Sequence, residues 1–130
     1  MMKTIQVVCG IIKQNGKYLI ARRGKGVREN IWEFPGGKVE ANESLEEAVQ
    51  REIKEELEID VNVMRHVLDI IDEREDMILQ VSAFLCEFVS GEIKLHAHHE
   101  ACFVRANELT AYSFEEADQP ILQALIESSY

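Results

Sequence analysis

The chain reads as a mixed sheet covered by helices, α/β or α+β in class, on three observations. Runs of alternating or continuous apolar residues lie on both sides of one strongly amphipathic stretch that starts at Ser44. Turn residues, Asn15-Gly16, Pro35-Gly36-Gly37 and Ser90-Gly91, separate those runs. A second, shorter apolar helix over Ile121 to Glu127 closes the chain behind Pro120. There is no internal repeat, linker or low-complexity segment, so residues 1–130 are expected to form a single domain.

The elements follow in order. Ile5, Val7, Cys9 and Ile11 alternate as in a strand, Asn15-Gly16 supplies a tight hairpin, and Tyr18-Leu19-Ile20-Ala21 returns. Arg22-Arg23-Gly24-Lys25-Gly26 opens a basic loop that runs to Asn30 and, on its own, reads as solvated. Trp32-Glu33-Phe34 is a short extended run, broken by Pro35-Gly36-Gly37. Ser44 with Glu47 makes a capping box. Behind it, Leu45, Ala48, Val49, Ile53 and Leu57 recur at helical spacing and define a core-facing stripe, opposite Glu46, Glu47, Gln50, Lys54 and Glu58. Val61 to Val63 and His66 to Ile71 suggest strand, Arg74-Glu75-Asp76 a turn, and Met77 to Val89 a long central strand. Ile93 to Leu95 is a further short strand candidate. His96-Ala97-His98-His99-Glu100 reads as a solvated loop, and Ala101 to Val104 as the last strand. Asp118 stands where the closing helix wants an N-cap.

Composition narrows the function. A hydrophobic share of 46% and a charged share of 29% describe an ordinary globular protein. A net charge of −10 excludes a grip on duplex nucleic acid, which needs a lysine and arginine surface. No stretch is long and apolar enough to span a membrane, and Met1-Met2-Lys3-Thr4 has no signal-peptide apolar region, so a cytoplasmic protein is expected. Cys9, Cys86 and Cys102 are odd in number and widely spaced, which suits reduced, strand-borne, buried thiols.

The chemistry lies on the amphipathic helix. Glu52 and Glu56 project inside the apolar arc one turn apart, with Glu55 at its edge. Carboxylates at these spacings repel one another and are costly against a core without a cation. A hard divalent ion removes that conflict, and Mg²⁺ combines a few carboxylates with substrate phosphates. The open alternatives are a solvated acidic helix and carboxylates paired with Arg51 or Arg65.

Order and spacing add to this. Gly37, Glu43, Arg51-Glu52-Ile53, Glu55-Glu56 and Ile59 resemble the Nudix box, G-x5-E-x7-R-E-U-x-E-E-x-G-U, with U aliphatic. One defined position departs from the pattern: Glu58 stands where the family has a glycine that leaves the helix in a left-handed conformation. The resemblance implies an α/β/α sandwich with a mixed β-sheet and hydrolysis of a diphosphate linked to another moiety. It implies Mg²⁺ as cofactor, with Mn²⁺ able to substitute, and metal ligands at Glu52, Glu55, Glu56 and the Gly36 carbonyl. Arg51 would orient a carboxylate, and Glu43 would stand nearby as support or base. Many relatives add an acid before the last strand, for which Glu100 is the nearest carboxylate and Ala97 or His98 the alternative alignment.

The short chain, the Trp32 to Gly37 run and the tail Ala117-Asp118-Gln119-Pro120 are similar to the MutT-type nucleoside triphosphate pyrophosphohydrolase branch. Expected substrate contacts are Arg22, Arg23, Phe34, Gly37, Lys38 and Asp118, with Phe84 a second stacking candidate. Asp118 would accept from an exocyclic amine such as that of cytosine. The expected reaction takes a nucleoside triphosphate to monophosphate and pyrophosphate, the base being a pyrimidine or an oxidised guanine as in 8-oxo-dGTP. The alternatives are ADP-ribose or a dinucleoside polyphosphate as substrate, and a non-catalytic nucleotide sensor. Partners reduce to a nucleotide, with no nucleic acid polymer and no membrane, in a monomer or homodimer.

Overall fold

The structure, a computed structural model, describes residues 2–24, 26, 29–128 and 130, so Lys25 of the basic loop lies outside the described residues. Among the described residues, seven strands and two α-helices follow in the order β1 (Lys3–Gln14), β2 (Lys17–Arg23), β3 (Trp32–Glu33), β4 (Gly36–Lys38), α1 (Leu45–Leu57), β5 (Asp60–Glu73), β6 (Met77–Ser90), β7 (His98–Val104) and α2 (Gln119–Glu127). Short 3₁₀ turns at Ala106–Ala111 and Glu116–Asp118 lead into α2. The main path of the sheet is β3-β2-β1-β6-β5, with β4 beside β1 and β7 beside β2. It is mixed: β1 and β6 are parallel over Lys3 to Lys13, and the other pairs are antiparallel.

Both faces are covered. Ile11, Ile20, Ile121, Leu122 and Leu125 belong to one core, on the α2 side. Ile12, Leu19, Val49, Ile53 and Leu57 belong to the other, under α1. Neighbouring residues of β1 and β2 thus point into different cores, which is why Ile11-Ile12 and Leu19-Ile20 are continuous apolar pairs. The expected α/β/α sandwich is the one observed.

The site depends on a gap in the sheet. β1 and β2 pair only at the hairpin, Lys13 with Tyr18 and Gln14 with Lys17, and then part. β3 pairs with β2 through Glu33 and Trp32, and β4 pairs with β1 through Gly36, Gly37 and Lys38. Phe34-Pro35 carries the chain across between them. Pro35-Gly36-Gly37 therefore does not merely break a strand: the glycines form one. A Cβ at Gly36 would collide with the Val8 carbonyl oxygen, so only glycine lets β4 lie this close to β1.

Four other expectations shift. β5 is one bulged strand rather than two runs. Ile93 to Leu95 is not a strand, because its backbone serves α1 instead: Lys94 N–H donates to Leu57 O at 3.0 Å and His96 N–H to Glu56 O at 3.2 Å. These bonds satisfy carbonyls that a helix end leaves open. β7 begins at His98, so part of the expected histidine loop is strand. Asp118 occupies the N-cap position of α2, yet its backbone is helical and its side chain makes no cap bond.

Candidate active site

The entry of α1 is fixed locally. Ser44 Oγ accepts from Glu47 N–H at 3.1 Å, and Glu47 Oε1 accepts from Ser44 N–H at 2.9 Å. The exit is left-handed: Glu58 adopts φ 59°, the conformation a glycine would take, and its carboxylate pairs with His96. With both ends set, Ala48, Val49, Ile53 and Leu57 are buried and Glu52 and Glu56 are held at the core's edge, each with 15% of its side chain exposed.

Arg51 gathers most of the acids around it. Its guanidinium binds Glu43 through two nitrogens at 2.6 and 3.0 Å, Glu52 at 3.0 Å, Glu55 at 3.1 Å, Glu40 at 3.0 Å and the Lys38 carbonyl at 2.9 Å. The bonds from Arg51 hold the Glu43 carboxyl below the usual range. Glu55 turns toward Arg51 and stays 57% exposed. Arg65 takes no part; it lies over the Tyr130 ring at 4.6 Å.

Among the described residues no guanidinium or ammonium pairs with Glu56. Burial, then repulsion from Glu52 and Glu33, pushes its carboxyl up to about 8, although the Gly36 backbone N–H favours the charged form. Its carboxyl is near enough to that of Glu52 to share a proton. Glu56 Oε1 is buried without a hydrogen-bond partner among the described residues. Glu52 lies against Gly37, where a Cβ would come within 2.5 Å of its carboxyl group.

Among the described residues no three acidic, histidine or cysteine side chains are already converged as a metal cage. Two close carboxylates with an orphaned oxygen nevertheless fit a hard divalent ion, which would lift the proton from Glu56. Such an ion uses few protein ligands when it keeps waters and binds phosphate oxygens.

Facing α1, Glu33 on β3 carries a second cluster. Its Oε1 accepts from Arg23 Nε at 2.6 Å and its Oε2 from His98 Nε2 at 2.8 Å, and these bonds keep its pKa low despite burial. His98 Nε2 is also 3.9 Å from Glu56 Oε1. A cavity of about 320 Å³ is lined by Arg23, Glu33, Gly36, Glu56 and His98. A second, of about 360 Å³, shares Arg23, Glu33 and Gly36 and continues past Phe34, Gly37 and Lys38 to Asp72, Arg74 and Asp118. Burial first, then the charges of Glu33 and Asp72, pushes Asp118 up to about 6. Arg74, which could have neutralised Asp118, is engaged by Asp72 at 2.7 Å and Glu115 at 3.5 Å.

Thus Glu52, Glu56, Gly36, Gly37, Lys38, Arg23, Phe34 and Asp118 meet in one cleft. Glu100 and Arg22 do not line it; they pair with each other at 3.1 Å, and Arg22 also bonds Asn30. Phe84 packs in the α1-side core against His66, away from the cleft. The solvated-loop reading of the histidines fails at His98, whose side chain is 1% exposed. Sequence reasoning also passed over Glu33, Asp72 and Arg74. Glu33 was legible as a lone acid in the apolar run Trp32-Glu33-Phe34, but its partners come from distant strands.

Comparison with known proteins gives the family. The NUDIX domain pattern matches residues 2–125. The chain is 35% identical over 126 residues to the CTP pyrophosphohydrolase of Escherichia coli strain K12, covering 96% of this chain and 93% of that protein. It is 35% identical over 85 residues to the 8-oxo-dGTP diphosphatase of Proteus vulgaris, covering 64% of this chain and 76% of that one. Among solved structures, the E. coli ORF135 protein superposes with a TM-score of 0.86 at 35% identity, covering 97% of this chain and 91% of its own. The MutT protein from Methanosarcina mazei Go1 shares the fold at the same TM-score of 0.86 and 24% identity, covering 97% of this chain and 95% of its own. With acids converging from α1, a glycine strand beneath them and the family pattern running over nearly the whole chain, this protein belongs to the NUDIX domain family and is a hydrolase.

Proposed function

We propose that the chain hydrolyses a nucleoside triphosphate to a monophosphate and pyrophosphate with Mg²⁺, and that it favours a cytosine base. The observation that carries this is the orphaned, buried Glu56 carboxyl group in a cavity that shares Arg23, Glu33 and Gly36 with a second cavity lined by Asp118. One end has the chemistry for a metal-bound polyphosphate and the other a hydrogen-bond acceptor for a base.

Glu52 and Glu56 would hold the ion, with the Gly36 carbonyl and Glu55 as further ligands. When bound, the ion neutralises charge on the phosphate oxygens and activates water. Arg51 keeps Glu52 and Glu55 oriented, and Glu43 keeps Arg51 in place. Arg23 and Lys38 line the cleft as cations for the phosphate chain, and Phe34 offers an aromatic edge to the base. Asp118 is ionised above pH 6, so it accepts hydrogen bonds and suits the amine of cytosine. The similarity to the E. coli CTP pyrophosphohydrolase over 96% of this chain supports that choice, and the shorter match to an 8-oxo-dGTP diphosphatase names the competitor.

Pyrophosphate release measured across CTP, dCTP, 8-oxo-dGTP and the unmodified purine triphosphates, with ADP-ribose as control, tests the reading. Cytosine nucleotides should have the highest kcat/KM, and hydrolysis in ¹⁸O-water identifies the attacked phosphorus. Turnover of ADP-ribose with none of any triphosphate would overturn it.

A further inference from the structure

Among the histidines of His96-Ala97-His98-His99, only His98 is buried, and a β-bulge explains how. Along β7, Ala101 and Phe103 pack toward the α1 core, and Cys102 and Val104 toward the other. Strict alternation would send His98 to the α2 side with Glu100. The pairing with β2 instead slips: Arg22 opposes Glu100, and Arg23 opposes His98, skipping His99. That extra residue turns His98 onto the α1 side, beside Arg23, Glu33 and Glu56.

There the imidazole does one visible job. Nε2 bonds Glu33 Oε2 at 2.8 Å, while Arg23 Nε holds the other Glu33 oxygen at 2.6 Å. His98 Nδ1 is buried with no partner among the described residues. Arg23 lines both cavities, and among the described residues only the Nε of its guanidinium is engaged, so its terminal nitrogens remain for a phosphate chain. Without His98, one Glu33 oxygen would face the Glu56 carboxylate unbonded, and Glu33 would have reason to rotate and take Arg23 with it.

We propose that His98 is a positioning residue that fixes Glu33 and, through Glu33, holds the Arg23 guanidinium against the phosphate chain of the substrate. The inference deepens the triphosphate reading and rests on it. Its role lies in binding rather than in bond breaking.

Two readouts test it. In steady-state kinetics with CTP, His98→Leu should raise KM about tenfold, the scale of one lost charge-assisted hydrogen bond, with kcat within about twofold. His98→Gln, whose amide nitrogen reaches the place of Nε2, should restore KM to within about twofold of the parent. Arg23→Ala should raise KM similarly, and adding His98→Leu to it should raise KM no further. The second readout needs no substrate: hydrogen exchange at Arg23 Nε–H by NMR should be slow in the parent and in His98→Gln and fast in His98→Leu. Should His98→Leu fail to fold, His98→Asn, polar but too short to reach Glu33, takes its place in both arms.

A fall in kcat at unchanged KM, a His98→Gln as impaired as His98→Leu, multiplying effects of the two single changes, or unchanged Arg23 exchange would each overturn the proposal. A parent protein that turns over no triphosphate defeats the functional reading separately, and the exchange arm still decides whether His98 holds Glu33 and Arg23.

Discussion

At the scale of single residues, Glu56 and the two glycines of β4 do different work. Glu56 is a buried acid with an unbonded oxygen and two acidic neighbours, a source of instability in the metal-free protein. Glu56→Gln removes the charge and keeps the shape. It should raise the melting temperature in EDTA and lower turnover by roughly 10²–10³-fold, the scale of losing one charge-stabilising group. Calorimetry and a pyrophosphate assay on one preparation check both signs, and a rate near normal would take the metal role from Glu56. The glycines separate geometry from folding. At Gly37 an added methyl first meets the end of the flexible Glu52 side chain, 2.5 Å away. Gly37→Ala should therefore fold and lose roughly 10²-fold in rate by moving Glu52 off position. At Gly36 the methyl meets backbone, so Gly36→Ala should cost roughly 3 kcal/mol of stability instead.

At the scale of elements, α1 shows what was legible in the sequence and what was not. Its entry was readable because a capping box is local: Ser44 and Glu47 satisfy each other three residues apart. Ser44→Ala should cost about 1 kcal/mol by chemical denaturation and leave kcat unchanged below the transition. Its exit was not fixed by the sequence, because Glu58 stands where the Nudix box has a left-handed glycine; the chain keeps that geometry with Glu58 at φ 59°. Glu58→Gly should raise the melting temperature, because relief of backbone strain outweighs an exposed pair with His96. The acids that α1 holds at the core's edge, Glu52 and Glu56, were legible by the same local logic. The other wall of the cleft was not. His98 faces Glu33 only because a bulge in β7 reverses alternation, and a bulge is a property of strand pairing that no window along the chain displays. Asp118 was misread in part for the converse reason. It sits at a helix start where aspartate favours capping, yet tertiary packing keeps its backbone helical and its carboxyl on the cleft.

At the scale of the whole molecule, titration and the proposed metal binding should be linked. Glu56 is raised from 4.5 to about 8 and Asp118 from 3.8 to about 6. Below about pH 3 these groups are protonated in both the folded and unfolded chains and leave stability unchanged. As pH rises, the unfolded chain ionises first while the folded one retains its protons, so stability falls until the folded pKa values are passed. Glu33 and Asp69 act oppositely: their folded pKa values are depressed by His98 and Arg23, and by His66 and Ser82, so they stabilise above the ordinary carboxylate range and lose that effect as pH falls from that range through their lower folded values. The metal-free protein should thus be most stable near pH 5 and weaken toward pH 8. On the proposed reading Mg²⁺ would compete with the proton on Glu56, so its stabilisation should be small at pH 5.5 and large at pH 8, flattening the slope. Melting temperatures at both values, in EDTA and in excess Mg²⁺, check this. Equal shifts at the two pH values would mean that the ion does not bind where Glu56 gives up its proton.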